Sequence, residues 1–191
     1  MNLFKNFACA FTLGIGFILQ AQASTVSLAA DGQWNEFNVD DFSSASQGVE
    51  WIDMNDSNSP NFGSALTYQF TVSSGFKALL SVVDAGSAGD RFEVFNNGQS
   101  IGLTSTTTKS TDLSNNFDSN LTNANFSNAF FTLSEGTYNI TGALFSTFQT
   151  FNSTNGAVKL EVTAVPLPDT FALFFGSLSL LTFFARRRHR T

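Results

Sequence analysis

Cysteine and histidine are nearly missing from this chain: Cys9 and His189 are the single examples, at opposite ends of 191 residues. A Ser-His-Asp or Cys-His catalytic site needs an imidazole beside its nucleophile, so none can be built within residues 24–164. A Cys/His zinc site is excluded there too, as is any disulfide. Cationic side chains are scarce over the same stretch: Lys77, Arg91, Lys109 and Lys159 stand against 14 Asp and Glu, a balance of −10. Such a surface repels phosphate backbones and anionic lipid, which argues against nucleic acid as a partner. Apolar spacing of helical period is also hard to find, and the body of the chain must form something other than helices.

What is present is concentrated first at the two ends. Lys5, an uncharged apolar run over residues 7–19 and the small-residue pattern Ala21-Gln22-Ala23 have the form of a secretory signal peptide over residues 1–23, with Ser24 as the first mature residue. Cys9 precedes most of the apolar run and is badly placed for lipid attachment. At the other end, Val165-Pro166-Leu167-Pro168-Asp169 is followed by the uncharged residues 170–185 and then by Arg186, Arg187, Arg188, His189 and Arg190. The two prolines fix φ, remove amide donors and push their predecessors toward extended geometry, so residues 165–168 are expected as a stretched peptide. Sixteen residues of helix span about 24 Å, short against a hydrocarbon core of about 30 Å. Outward-reaching arginine side chains and local thinning of the bilayer make up the difference. Arginines next to a span stay on the cytoplasmic side, which puts the body of the protein outside the inner membrane.

A proline motif, one hydrophobic span and a terminal arginine cluster, in that order, resemble the PEP-CTERM sorting signal of Gram-negative bacteria, with Val165-Pro166-Leu167-Pro168 as a variant of the commoner Val-Pro-Glu-Pro. The resemblance covers residues 165–191. It implies recognition by exosortase, a membrane-embedded transpeptidase-like enzyme, after export by the general secretion machinery. Leu167-Pro168-Asp169-Thr170 also fits the first four places of a Gram-positive sortase signal, but Phe171 stands where that signal requires glycine. A GPI signal has a removable hydrophobic tail as well, yet does not normally end in arginines.

Residues 24–164 have the size of one domain and read with period two. In 65–72, Leu66, Tyr68, Phe70 and Val72 share one face and Thr67, Gln69 and Thr71 the other, the pattern of a half-buried strand. Residues 91–96 and 99–104 flank Asn97-Gly98, a type I′ hairpin turn. Residues 129–133 and 137–144 flank Glu135-Gly136 and suggest a second hairpin. A last strand is expected over 157–164, and earlier ones over 25–28, 36–39, 49–52 and 78–83. Residues 105–128, rich in Asn, Ser and Thr, are expected as a long surface loop, with at most a short strand or turn, pinned by Phe117, Leu121 and Phe126. The expected fold is all-β, an antiparallel β-sandwich or jelly roll. Fourteen of the 23 phenylalanines lie in this domain and are its expected core filler. Of Phe130 and Phe131, adjacent on one strand, one must face outward.

Candidate chemistry is thin. Glu36, Glu50, Glu93, Glu135 and Glu161 would have to converge to make a glycosidase pair, and in sequence they are scattered. Calcium, which takes oxygen ligands, is the cofactor best suited to the remaining groups, and two places offer them: Asp53, Asn55 and Asp56, or Asp84 and Asp90 bracketing a Gly-rich connection. Both places also suit ordinary turn chemistry. Trp34 and Trp51 are candidate sugar-stacking rings. The set Trp34, Phe37, Asp40-Asp41, Trp51-Ile52-Asp53, Val82-Val83-Asp84-Ala85-Gly86 and Gly89-Asp90-Arg91-Phe92-Glu93-Val94 is similar to the body of a group of PEP-CTERM proteins, which implies an exported β-domain and no particular chemistry. The expected protein is thus an exported, non-enzymatic surface or extracellular-matrix protein, with exopolysaccharide as a candidate partner; a cell-surface carbohydrate-binding module is the alternative.

Overall fold

A computed structural model describes residues 23–150 and 152–166. Two sheets stack face to face. The first has the order β1 (Ser24–Ser27), β3 (Leu66–Val72), β9 (Gly136–Ser146), β5 (Arg91–Asn96), β6 (Gln99–Leu103); the second runs β2 (Asp31–Asp40), β10 (Ser153–Ala164), β4 (Phe76–Ser87). The free edge of β4 is covered by β8 (Asn128–Leu133) and, further along, by the two-residue β7 (Leu113–Ser114). The protein is an all-β sandwich.

Period-two patterning explains the packing. Leu66, Tyr68, Phe70 and Val72 of β3, Phe92 and Val94 of β5, and Ile140 and Leu144 of β9 meet Phe37 and Val39 of β2, Leu80 and Val82 of β4, and Val158 and Leu160 of β10 in one core. Full burial of such side chains is worth roughly 1.5–3 kcal/mol each. The polar partners on alternate positions, such as Thr71 and Thr137, face outward and pair across the strands at 3.2 Å. Asn97 and Gly98 both take positive φ, 51° and 78°, as a type I′ turn requires, and Asn96 opposes Gln99. Asn tolerates that region and Gly enters it without steric cost.

Three expectations are corrected. Residues 49–52 form isolated bridges and no strand: Glu50 pairs with Ala143 in one sheet, Ile52 with Asn38 in the other. Trp51 donates its amide to Gly142 and accepts from Leu66, both at 2.8 Å, while Ile52 donates to Asn38. The segment crosses the interior, and its hydrogen bonds are divided between two sheets. Residues 129–133 and 137–144 are not a hairpin, because β8 pairs with β4 while β9 pairs with β3 and β5. Their connection passes from one sheet to the other. Finally, β1 lies parallel to β3, since the intervening chain makes β2 in the opposite sheet before returning.

Within residues 105–127, β7 and a single helical turn, α1 (Phe117–Asn120), interrupt the loop. Asn116 caps that turn by accepting the Ser119 amide. Phe126 is fully buried, and Asn120 donates to the backbone oxygens of Asp84 and Ser114, each at 3.1 Å. Phe130 is 54% exposed, whereas Phe131 packs on the core, the division that adjacent strand positions impose.

Candidate functional site

The two oxygen-rich places singled out in the sequence have different surroundings. Asp53 Oδ2 accepts the Ser24 hydroxyl at 2.7 Å, and its Oδ1 accepts the amide and side-chain nitrogen of Asn55 at 3.1 Å. Asp56 Oδ1 accepts the Asn58 amide at 2.8 Å. Apart from the Ser24 hydroxyl, which comes from β1, these donors belong to the turns that the side chains themselves close.

Asp84 and Asp90 differ. The strand β4 runs on to Ser87, so Asp84 lies inside it, and its parity with Ala78, Leu80 and Val82 directs it into the sandwich. Both aspartates are 0% exposed. Asp84 Oδ2 accepts the amides of Gly89 and Asp90 at 3.2 Å. Its Oδ1 and both carboxylate oxygens of Asp90 have no hydrogen-bond partner. Burial, and then the charge of Asp90, push the Asp84 carboxyl up to about 8. Burial also raises Asp90, partly offset by the Thr147 and Thr154 hydroxyls. Those hydroxyls lie near it without meeting hydrogen-bond geometry.

The backbone between the two aspartates is bent by glycine. Gly89 has φ of 110°, and a Cβ there would meet the Phe148 ring at 2.6 Å. This turn folds Asp90 back toward Asp84, whose side chain receives its amide. Sequence reasoning missed Thr147 and Thr154. The signal existed for Thr154: extending the alternation of Val158 and Leu160 back through Gly156 puts it on the inward face, but β10 was expected to begin only at residue 157.

Other expected sites are dispersed. Glu50 accepts the Ser44 and Ser46 hydroxyls, each at 2.5 Å, and Glu36 accepts the Asn155 side-chain nitrogen at 2.9 Å. Among the described residues no three His, Cys, Asp or Glu side chains come together as a metal-binding group. Trp51 is 1% exposed, which corrects its candidacy for sugar stacking: it stacks on Phe37 inside the core. Trp34 donates to Asp118 at 2.9 Å, lies 5.7 Å from the Phe117 ring and has the Lys159 ammonium 4.8 Å from its own ring.

At the end of the domain, β10 stops at Ala164, and the Val165 amide donates to Gly75 at 2.8 Å. Val165 and Pro166 are exposed. Leu167, Pro168, Asp169, the expected span 170–185 and the cluster Arg186, Arg187, Arg188 and Arg190 lie outside the described residues, as does Ala21 of the expected leader; Ala23 is exposed just before β1. Among the described residues no helix is long and apolar enough to cross a membrane.

No family model matches the sequence, and no curated protein matches it. A solved structure with some likeness is the pre-peptidase C-terminal domain of collagenase from Bacillus anthracis, with a TM-score of 0.36 and 12% identity, covering 75% of this chain and 97% of that one. A likeness this loose assigns neither ligand nor compartment.

Proposed function

We propose that this is an exported, non-enzymatic surface or extracellular-matrix protein, sorted and processed by an exosortase at its C-terminal signal. The observation that carries the reading is the sequence of the tail: the proline motif Val165-Pro166-Leu167-Pro168, then sixteen uncharged residues, then four arginines within the last six positions. In this reading residues 1–23 are a signal peptide, residues 170–185 hold the chain in the inner membrane before processing, and the arginines stay in the cytosol. The secretion machinery and the exosortase are its partners in sorting, and exopolysaccharide is its partner at the destination.

The limits of the folded domain support this reading. Ser24, the expected first mature residue, opens β1; its amide donates to Ala65 at 2.8 Å and its side chain is buried on Asp53. The motif begins directly after β10 with the exposed Val165 and Pro166, so a processing enzyme can reach its start without unfolding the sandwich.

Expression in a host that encodes an exosortase, followed by mass spectrometry of the released protein, tests the proposal. The expected mature chain begins at Ser24 and ends near Pro168, and the double variant Pro166→Ala, Pro168→Ala keeps its tail. A full-length cytosolic chain with leader and arginines intact would overturn it.

A further inference from the structure

We infer that Asp84 and Asp90, with the Thr147 and Thr154 hydroxyls beside them, bind one hard divalent cation of the calcium class at the end of the sandwich interior. Three carboxylate oxygens there are buried with no partner in hydrogen-bonding geometry, and both side chains are fully shielded from water. Asp84 is answered only at Oδ2, by two backbone amides, and a buried carboxylate short of partners is strongly unfavourable. Among the described residues no basic side chain pairs with either aspartate. Arg91, the next residue, turns its guanidinium to the Thr104 and Ser105 carbonyls and over the Phe145 ring. The Lys159 ammonium is paired with Asp118.

The chemistry of the groups selects the ion. Carboxylate and hydroxyl oxygens, with no nitrogen or sulfur ligand in reach, suit a hard cation and not zinc. Calcium accepts six to eight oxygens in flexible geometry, whereas magnesium demands a near-ideal octahedron and keeps several waters, which two fully buried carboxylates admit poorly. The parts converge from four places in the fold: the inward row of β4, the turn at Gly89, the end of β9 and the start of β10. A bound ion would therefore tie both sheets together at this end. The loop at Asp53 and Asp56, whose carboxylates accept donors from their own turn and from Ser24, lacks any such deficit.

Titration of the full-length protein with calcium chloride at neutral pH, by calorimetry and by thermal melting against a chelated control, tests the assignment. One calcium per chain is expected, with a rise in Tm of about 5 °C or more at saturation; magnesium at equal concentration should do less. Asp90→Asn should abolish both the heat and the shift, and Asp53→Asn should retain them. Should Asp90→Asn fail to fold, the wild-type titration alone decides. No response to calcium up to about 10 mM, beyond the range of weak extracellular sites, overturns the inference and leaves the pair sharing a proton. Undiminished binding by a folded Asp90→Asn overturns it equally.

Discussion

The rings of Phe37 and Trp51 stack with centroids 3.9 Å apart and planes 15° from parallel, and Phe92 meets Phe37 edge-on at 5.0 Å. Phe37 belongs to β2, Phe92 to the opposite sheet, and Trp51 to the segment that crosses between them. Aromatic geometry of this kind adds about 0.5–1.5 kcal/mol per pair beyond burial. The stack fixes where the crossing segment sits, and its position depends on a missing side chain.

That missing side chain is at Gly142. A Cβ there would overlap the Trp51 indole, which is buried and has no room to shift. Gly142→Ala is expected to cost roughly 1–3 kcal/mol by overpacking, read as a lower urea midpoint with an unchanged m-value. An unaltered midpoint would mean that the indole relaxes freely.

Asn120 ties the 105–127 segment to β4 through its two bonds to the Asp84 and Ser114 carbonyls. Asn120→Ala removes the donors from one buried and one partly buried carbonyl and should cost about 1–3 kcal/mol. Limited proteolysis is expected to cut faster within 105–127, with the strands β3, β5 and β9 still resistant.

Phe130 and Phe131 offer a paired test of the sheet faces. Phe130→Ser should change stability by no more than about 0.5 kcal/mol. Phe131→Ala should cost roughly 1–3 kcal/mol, less than a fully buried phenylalanine because the ring is only partly covered. Equal effects in thermal denaturation would contradict the orientation of β8.

Glu50 carries a pH dependence of definite sign. Burial pushes its carboxyl up, the Ser44 and Ser46 hydroxyls and its own amide pull it down, and the net value falls below the ordinary 4.5. With the folded value below the unfolded one, its contribution is present above about pH 4.5 and is lost as the pH falls through the folded value. In Ser44→Ala, Ser46→Ala the burial effect remains without its main opposition, so an NMR titration should find Glu50 above 4.5. A value still depressed in that variant would show that the hydroxyls do not cause the shift.

Much of the fold was legible where one face of a strand decides its pattern. In β3, alternation of Leu66, Tyr68, Phe70 and Val72 with polar residues specified both the strand and its buried side, and Asn97-Gly98 specified the β5–β6 turn. Where pairing partners decide, local pattern was insufficient. Residues 49–52 have strand composition, yet their hydrogen bonds go to two sheets. The turn-like Glu135-Gly136 suggested adjacency for β8 and β9, but the competing edge of β4 takes β8. Asp84 and Asp90 were visible as acidic residues near glycine; their shielding was not, because it comes from β4 extending four residues past Val83 and from Thr147 and Thr154, which lie far along the chain.

The attachment of β10 has a mechanical corollary. It is hydrogen-bonded on both flanks, along β4 from Phe76 to Ala85 and along β2 from Asp31 to Asp40, and the tail leaves from its end. Tension applied through that tail would load two long ladders in shear, whereas β1, held along one side by its short parallel register with β3, would yield first. A molecule tethered by its carboxyl end would thus keep its load-bearing strand while its opposite terminus peeled away.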